Sequence, residues 1–533
     1  MVALNVKRTG EVHGFVSMYR KPLAPIMNRT AIDQTEFVDF YLPFGGHLKA
    51  SNRWCRLAEM VPWDEVESCY ADKLSATGIG APAKSGRIAY GALLIKERLG
   101  ITDEETVEQI SENPYLQYFL GLRELLSKAL FDPSMMVHFR SRFSQEDHQR
   151  INASIIAAAS GIEAPKNEDP GDSDGTSGPS ENSGKLLVDA TCTPADIRYP
   201  NDLGLLNEAR EKSESYIDQL HKWAIQNKYP VLKKPRTYHQ KARKQYLSVA
   251  KQKRAGQKKI RKAIGQQLNY LRRNFGHIDW MIDQYSGALS CLSAYDYKCL
   301  LVIRMLYDQQ SEMYTRGVHT VKNRIVSISQ PHVRPIVRGK AGKRVEFGAK
   351  VSISHQCNGY VSVDTLSWDA YNEGTDLPRQ IETYKKRFGY YPASVHADSL
   401  YRTRENRRYC KNLGIRLSGK PLGRPKKRTA ENASELKVQR QLQYQDEIDR
   451  IAVEGKFGNC KRKGTLGRVM AKLDDTSESV IHVAIAVLNL NKWLAELLLR
   501  LFMAWRGLGC LLCRQIVSNL NRCSAQNLYG SQI

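Results

Sequence analysis

The spacing of apolar residues predicts that the first part of the chain is helical. Residues 86–122 place apolar and charged side chains at the three- and four-residue intervals of helices with one buried face. Thr102 and Glu105 have the spacing of a capping box, so we expect a helix to begin after Thr102. We therefore predict an all-α N-terminal domain over residues 1–160.

A change in composition separates this region from the next. Residues 163–184 are dominated by Pro, Gly, Ser, Asp and Asn, which bury too little apolar surface to form a core. We predict a flexible linker over residues 161–184. The apolar run Leu186–Val188 then predicts a short buried strand with Asp189 at its end.

Helical and strand patterns follow in a recognisable order. Residues 203–324 form a long polar helical region. The odd positions from Val345 to Ile353 are apolar or small, and the Asn358-Gly359 pair is a strong turn signal. Residues 360–366 fit the return strand of a hairpin.

The rest of the chain completes one domain. A helix near residues 377–389, a short strand ending at Asp398, another strand near 412–419 and a helix from about 436 follow the hairpin. Without the helical region, this is the element order of a ribonuclease-H-like fold. We predict an α/β protein with a ribonuclease-H-like catalytic domain over residues 185–500, a helical insertion over 206–334 and a C-terminal tail over 501–533.

The charge of the chain indicates a polyanionic partner. Lys and Arg number 80 against 55 acids, a net charge of +25. No Asp or Glu lies between His221 and Ile278, whereas a solvated surface normally mixes both signs. This segment predicts phosphate contacts with nucleic acid, although a basic surface alone would not require them. The candidate DNA-binding residues in this segment are Lys258, Lys259, Arg261 and Lys262.

Other patterns limit the alternatives. The N-terminus has no apolar core of the kind found in signal peptides. The apolar region 480–505 contains Asn, Lys, Glu and Arg, which favours a core or dimer-forming helix over a membrane span. The eleven cysteines are scattered, and Cys510, Cys513 and Cys523 have no evident fourth zinc ligand. We interpret them as reduced thiols of a cytoplasmic protein.

Three carboxylates follow the predicted elements in an order that suggests metal chemistry. Asp189 and Asp398 end two strands, and Glu454 lies on the later helix. Carboxylate oxygens are ligands for hard divalent cations, and two such ions can catalyse an in-line displacement at a phosphodiester. We therefore predict a site for two Mg²⁺ or Mn²⁺ ions. Arg450 and Lys461 share a helix face with Glu454, where they could hold DNA phosphates.

These residues resemble the DDE transposases of bacterial insertion sequences. Three segments, starting at Val188, His396 and Arg450, are similar to the blocks that carry the catalytic acids of that family. The third fits a Tyr-Arg-Glu-Lys signature, except that Glu447 occupies the Tyr position. The second has Ser399-Leu400 where a basic residue and Gly are usual.

The resemblance implies metal-dependent cleavage at terminal inverted repeats and strand transfer into target DNA. It also implies DNA contacts by Tyr401 and Arg402. The double-stranded DNA would be bound by a homodimer or larger synaptic complex, associated with the bacterial nucleoid and not with a membrane.

Simpler interpretations remain for single residues. Asp398 could cap a helix, Glu454 could pair with Arg450, and His396 could be a structural histidine. The Gly-Arg-Pro segment at Arg424 could enter a minor groove or form an ordinary basic loop. Two other functions also stay open. One is an inactive DNA-binding protein derived from a transposase, and the other is a structure-specific nuclease on the same fold.

Overall fold

The computed structural model describes residue 42 and residues 46–74, 82–161, 181–230, 233–337, 345–356, 359–420, 423, 429 and 432–529. The side chains of residues 356, 452, 463 and 504–529 are outside this description. Arg424, most of the predicted linker, and the Cys510, Cys513 and Cys523 thiols therefore lie outside the described part of the molecule.

The N-terminal region is built from helices. They are α1 (Arg53–Met60), α2 (Trp63–Ala71), α3 (Gly86–Leu99), α4 (Asp103–Glu112), α5 (Pro114–Phe119), α6 (Met135–Arg142) and α7 (Gln145–Ser160). Thr102 caps α4 as expected, because its side chain accepts a hydrogen bond from the Glu105 amide. Ser144 caps α7 in a full capping box with Asp147.

These helices share their core with the last helix of the chain, α15 (Asp474–Tyr529). Val483, Val487 and Leu490 of α15 are buried in the same cluster as aromatic residues of α1, α2, α3, α5 and α6. The described part of the chain contains one helix long and apolar enough to cross a membrane, Asp474–Met503, and most of it is buried inside the protein. Such burial is typical of a core helix, and the N-terminal helices are therefore docked on the rest of the molecule.

A mixed sheet forms the centre of the second region. Its strands are β1 (Lys185–Pro194), β2 (Arg334–Val337), β3 (Val345–Gln356), β4 (Val361–Ser367), β5 (Ser394–His396) and β6 (Arg416–Leu417). The order is β2-β3-β1-β5-β6, and β4 pairs with β3. β1 is antiparallel to β3 and parallel to β5, and β6 is parallel to β5.

β1 is longer than the sequence suggested. The prediction that Asp189 ends this strand is wrong, because β1 continues to Pro194 and Asp189 pairs with Ile353 in its middle. The residues after Asp189 include Thr191 and Thr193, whose β-branched side chains suit a strand and are buried here. Their polarity concealed the second half of the strand.

The insertion is a helical unit with its own core. It contains α8 (Asp202–Gln226), α9 (His239–Ala250), α10 (Gln257–Gln284) and α11 (Ala294–Arg316). Leu206 of α8, Leu271 of α10 and Ile303 of α11 are fully buried together. β2 follows this unit as an edge strand that sequence patterning missed, since it is only four residues long.

Helices cover both faces of the sheet. α12 (Leu377–Phe388) and α13 (Arg404–Asn412) pack on one face, where Val188, Ile381 and Cys410 are buried together. α14 (Ala433–Lys463) and α15 pack on the other face, where Leu187, Val453 and Ile485 are buried together. The described residues thus form an α/β protein in which α14 lies against β1.

Candidate functional site

Asp398 lies in the loop that follows β5. Its carboxylate caps a short 3-10 turn, Ser399–Tyr401, by accepting a hydrogen bond of 2.6 Å from the Ser399 amide. The helix that Asp398 was considered to cap, α13, is instead capped by Thr403, whose side chain accepts a hydrogen bond from the Asn406 amide. The Asp398 side chain is 45% exposed, so its remaining oxygen lone pairs face solvent and could bind a cation.

Arg450 joins Asp398 to Glu454. The Arg450 Nη2 atom lies 3.8 Å from Asp398 Oδ1 and 3.9 Å from Glu454 Oε1. Glu454 is one helical turn after Arg450 on α14, and its side chain is 64% exposed. Two of the predicted carboxylates, from different elements, therefore share one cationic neighbour.

Asp189 is the third carboxylate, and its environment differs from that of the other two. The pKa of Asp189 is raised to about 6, mainly by burial; the negative charges of Asp398 and Glu373 act in the same direction, whereas the Ala190 amide and Arg450 oppose the shift. Asp189 is thus within electrostatic reach of both Arg450 and Asp398. A raised pKa from burial and neighbouring acids is typical of a functional carboxylate.

Glu373 is a further acid near this site that the sequence analysis did not identify. It is buried in a 3-10 turn before α12 and forms an ion pair with Lys350 of β3. The Lys350 Nζ atom also donates to the Tyr371 carbonyl oxygen at 2.8 Å. The local sequence gave no signal for this pairing, because Glu373 and Lys350 meet only when α12 packs on the sheet.

Two contacts fix α14 along β1. Lys185, at the start of β1, forms an ion pair of 2.6 Å with Asp449. Lys461, twelve residues later on α14, donates to Thr191 Oγ1 at 2.9 Å and to the Cys192 carbonyl oxygen at 2.7 Å. Asp189 and Glu454 lie between these contacts on their respective elements, so the same register brings both toward one region. Lys461 therefore helps to dock α14 on β1, and its contact with DNA stays a prediction.

Tyr401 does not lie where a DNA contact would need it. Its side chain is fully buried among Val188, Leu377 and Ile381, so the aromatic ring packs in the core. Asn406 holds the neighbouring loop in place, because its side-chain amide donates hydrogen bonds to the carbonyl oxygens of Gly374 at 2.6 Å and Tyr401 at 2.8 Å. These residues position the loop that carries Asp398.

Arg402 is partly buried beside the same loop. Its guanidinium donates to the Ala397 carbonyl oxygen at 3.2 Å, and burial together with Arg450 and Arg407 lowers its pKa. Gly419, with a positive φ of 108°, leaves room for this guanidinium, since a Cβ there would overlap it. Arg402 is therefore fixed at the edge of the site, near Asp398.

The four basic residues predicted in the insertion lie at the start of α10. Lys258, Lys259, Arg261 and Lys262 are all exposed, and the first turn of this 28-residue helix contains no acid. Arg261 donates to the Tyr314 carbonyl oxygen at 2.8 Å and stacks on the Tyr314 ring. Positive side chains are unfavourable at a helix N-terminus unless an anion binds there.

The three predicted acids are of the chemical type that binds a hard divalent cation. Asp189, Asp398 and Glu454 offer only carboxylate oxygens, which Mg²⁺ and Mn²⁺ prefer. Among the described residues, however, no three His, Cys, Asp or Glu side chains lie close enough together to hold one metal ion. The three acids are thus brought to one region, with Arg450 between two of them, and are not arranged as a closed coordination shell.

Comparisons with known proteins give the class. Residues 395–491 match the model of a transposase DDE domain, and residues 43–142 match the model of a transposase domain, DUF772. The first match includes Asp398 and Glu454, and the second covers most of the N-terminal helices. An uncharacterised protein from Rhizobium meliloti, ORF8 in the nfe locus, is 30% identical over 155 residues, which are 29% of this chain and 67% of the relative. No solved structure matches significantly.

These matches cover separate parts of the chain and agree with each other. Both family models describe transposases, and the DDE match contains the loop and the helix that carry two of the converging acids. The protein is therefore a transposase. More particularly, the chain belongs to the DDE-type transposases.

Proposed function

We propose that this protein is a metal-dependent enzyme that cleaves DNA at terminal inverted repeats and transfers the freed strand into target DNA. The carboxylates of Asp189, Asp398 and Glu454 would hold two Mg²⁺ or Mn²⁺ ions. The main support for this proposal is that the three acids come from three different elements of the fold. A central strand, the loop after β5 and α14 each supply one acid, and Arg450 interacts with all three. The strand order and the antiparallel and parallel pairings support a ribonuclease-H-like core.

The surroundings of each residue would position it for metal binding and DNA cleavage. Bound ions would supply activation of a water or 3′-hydroxyl and stabilisation of the leaving oxygen. Asp189 is held by its pairing with Ile353 of β3, two residues after the pairing of β1 with β5 ends. Asp398 is fixed by the Ser399 amide, and Lys461 keeps α14 in register with β1. Arg450 provides a positive charge beside the acids, where a phosphodiester would approach.

DNA would be held mainly away from the acids. Seventeen Lys and Arg residues and no Asp or Glu lie between His221 and Ile278, and Lys258, Lys259 and Lys262 stand exposed at the start of α10. The amides of that helix end would add hydrogen-bond donors for phosphate. We assign Arg402 to a contact near the scissile phosphate. The helical N-terminal domain is a further candidate for DNA binding.

Transposition requires two element ends in one assembly, so we propose a homodimer or larger synaptic complex. Leu498, Leu499 and Phe502 of α15 are exposed, which supports a contact between copies. Sedimentation of the protein with paired terminal repeats tests this, and a species with only one copy would contradict it. We place the protein in the bacterial cytoplasm, bound to the nucleoid, within the branch that carries the Tyr-Arg-Glu-Lys signature.

A cleavage assay tests the proposed chemistry. A labelled duplex that carries the element's own terminal repeat is incubated with Mg²⁺ and either wild-type protein or Glu454→Gln. Glu447→Gln is the matched control, because Glu447 is an exposed acid two turns earlier on α14. We expect a nick at the repeat boundary with wild type and the control, and none with Glu454→Gln.

Other outcomes would point to the alternatives. If all variants bind the repeat and none cuts, the protein is an inactive DNA-binding derivative. Cleavage without preference for the repeat would instead identify a structure-specific nuclease.

A further inference from the structure

A buried polar cluster lies where α14 first meets the sheet. Asp446 is the first buried residue along α14, and Arg416 of β6 holds it in a bidentate ion pair. The Arg416 Nη1 and Nη2 atoms donate to the two Asp446 carboxylate oxygens, each at 2.9 Å. Paired donors of this kind fix the direction of the carboxylate as well as its distance.

His396 brings the strand of Asp398 into the same cluster. Its ring is fully buried, with Nδ1 at 3.4 Å from Asp446 Oδ1 and Nε2 at 3.0 Å from Ser394 Oγ. His396 ends β5, two residues before Asp398. Asp446 therefore joins α14 to β6 through Arg416 and lies against His396 of β5. Both strands lie next to the loop that carries Asp398.

The cluster stands at the point where α14 leaves the body of the protein. Before it, Val438 is 63% exposed and Tyr444 is 68% exposed, so this part of the helix has little packing. After it, Val453 and Phe457 pack in the core on the other side of the helix from solvent. Glu454 follows Asp446 by eight residues, about 12 Å along the helix axis. Apolar contacts tolerate some rotation of a helix, whereas the bidentate pair does not.

We propose that Asp446, held by Arg416 beside the buried ring of His396, is a positioning residue that sets the angle of α14 and so the placement of Arg450 and Glu454 against Asp398. This inference rests on the proposed function. Asp446 acts through the helix and touches no reacting atom. Partners that orient metal-binding side chains in this indirect way commonly alter activity by about 10- to 100-fold when they are removed.

The chain supplies a matched control in Glu447. It follows Asp446 directly on α14, and its side chain is exposed. Asp446→Asn and Glu447→Gln therefore remove the same charge from neighbouring positions of the helix, but only the first removes a buried bidentate contact. Asp449 would not serve, because its carboxylate pairs with Lys185 and lies 3.9 Å from His396 Nδ1.

Two measurements on the full chain test the inference. The first is the single-turnover rate of nicking on the terminal repeat together with repeat affinity. We expect a 10- to 100-fold slower rate for Asp446→Asn with affinity within twofold, and a rate within threefold of wild type for Glu447→Gln. Arg416→Lys should recover part of the rate lost in Arg416→Gln, since a lysine keeps one charged hydrogen bond.

The second measurement is amide hydrogen exchange along residues 446–460, which needs no catalysis. We expect faster exchange near Glu454 in Asp446→Asn and wild-type exchange in Glu447→Gln. Equal effects of the two substitutions, or unchanged exchange in Asp446→Asn, would overturn the positioning role. If Asp446→Asn does not fold, Arg416→Gln takes its place in both measurements. A wild-type protein that never nicks DNA would refute the proposed function, while the exchange data would still decide the positioning role.

Discussion

The basic start of α10 gives the prediction with the most direct physical consequence. Replacing Lys258, Lys259 and Lys262 together by Ser removes three exposed cations from the first turns of this helix. Each cation that neutralises a DNA phosphate changes the slope of log affinity against log salt concentration by about 0.9. Loss of three contacts should therefore reduce the magnitude of this slope by about 2.7.

The same substitution should not harm the fold. Cations near a helix N-terminus oppose the helix dipole at a cost of about 0.3–1 kcal/mol each at low salt, so their removal should leave stability equal or slightly higher. A gain or no change in stability combined with weaker binding distinguishes a DNA contact from a structural role. The control replaces three exposed lysines elsewhere, Lys128, Lys386 and Lys411.

The effect is measured by fluorescence anisotropy. The protein is titrated into a labelled terminal repeat at several salt concentrations between about 50 and 200 mM, and the slope is taken from the resulting affinities. Thermal unfolding is followed on the same samples. An unchanged slope in the α10 variant, or the same decrease in the control, would refute the assignment of α10 to the DNA interface.

Three more predictions follow from the site and its supports. Burial raises the pKa of Asp189 from 3.8 to about 6, so the fold loses about 3 kcal/mol of stability as the pH rises from about 4 to about 6. Asp189→Asn should recover about this much at pH 7.5, seen as a higher melting temperature, and have no effect below pH 4. Asn406→Ala leaves the Gly374 and Tyr401 carbonyl oxygens unpaired and should cost about 2–3 kcal/mol in urea unfolding. Burial lowers the pKa of His482 to about 4, so stability should fall as pH drops from 6.5 toward 4, and His482→Phe should flatten that decline in melting curves.

Much of the element order could be predicted from the sequence, because in long segments the spacing of apolar residues indicates whether the segment is a helix or a strand. The hairpin at residues 345–367, the helix after Thr102 and the helix predicted from about residue 436 were of this kind. Predicted boundaries were less accurate. The pattern ended β1 at Asp189, whereas pairing with β3 extends the strand to Pro194. Such pairing depends on a strand more than 150 residues away, which local patterning cannot include.

The candidate site also has a part that could be predicted from the sequence and a part that could not. The three acids could be named from their places in the element order and from family resemblance. The structure places Arg450 between Asp398 and Glu454, and Asp189 within electrostatic reach of Arg450 and Asp398. The environments of their neighbours could not be predicted. Tyr401 is in the core and Lys461 binds β1, because packing between α14, β1 and the loop after β5 decides which side chains remain available. Glu373 was missed for the same reason, since its ion pair with Lys350 forms only in the folded protein.

The most direct test of the account uses a terminal repeat whose leaving 3′ oxygen at the cleavage site is replaced by sulfur. Two-metal chemistry requires a cation at that oxygen, and sulfur favours Mn²⁺ over Mg²⁺ as its partner. We expect wild-type protein to cut the oxygen substrate with either ion and the sulfur substrate with Mn²⁺ alone, while Asp398→Asn cuts neither and still binds both. Cleavage of the sulfur substrate at equal rates in Mg²⁺ and Mn²⁺, or persistent cleavage by Asp398→Asn, would contradict the assignment of these carboxylates to metal-dependent transposition.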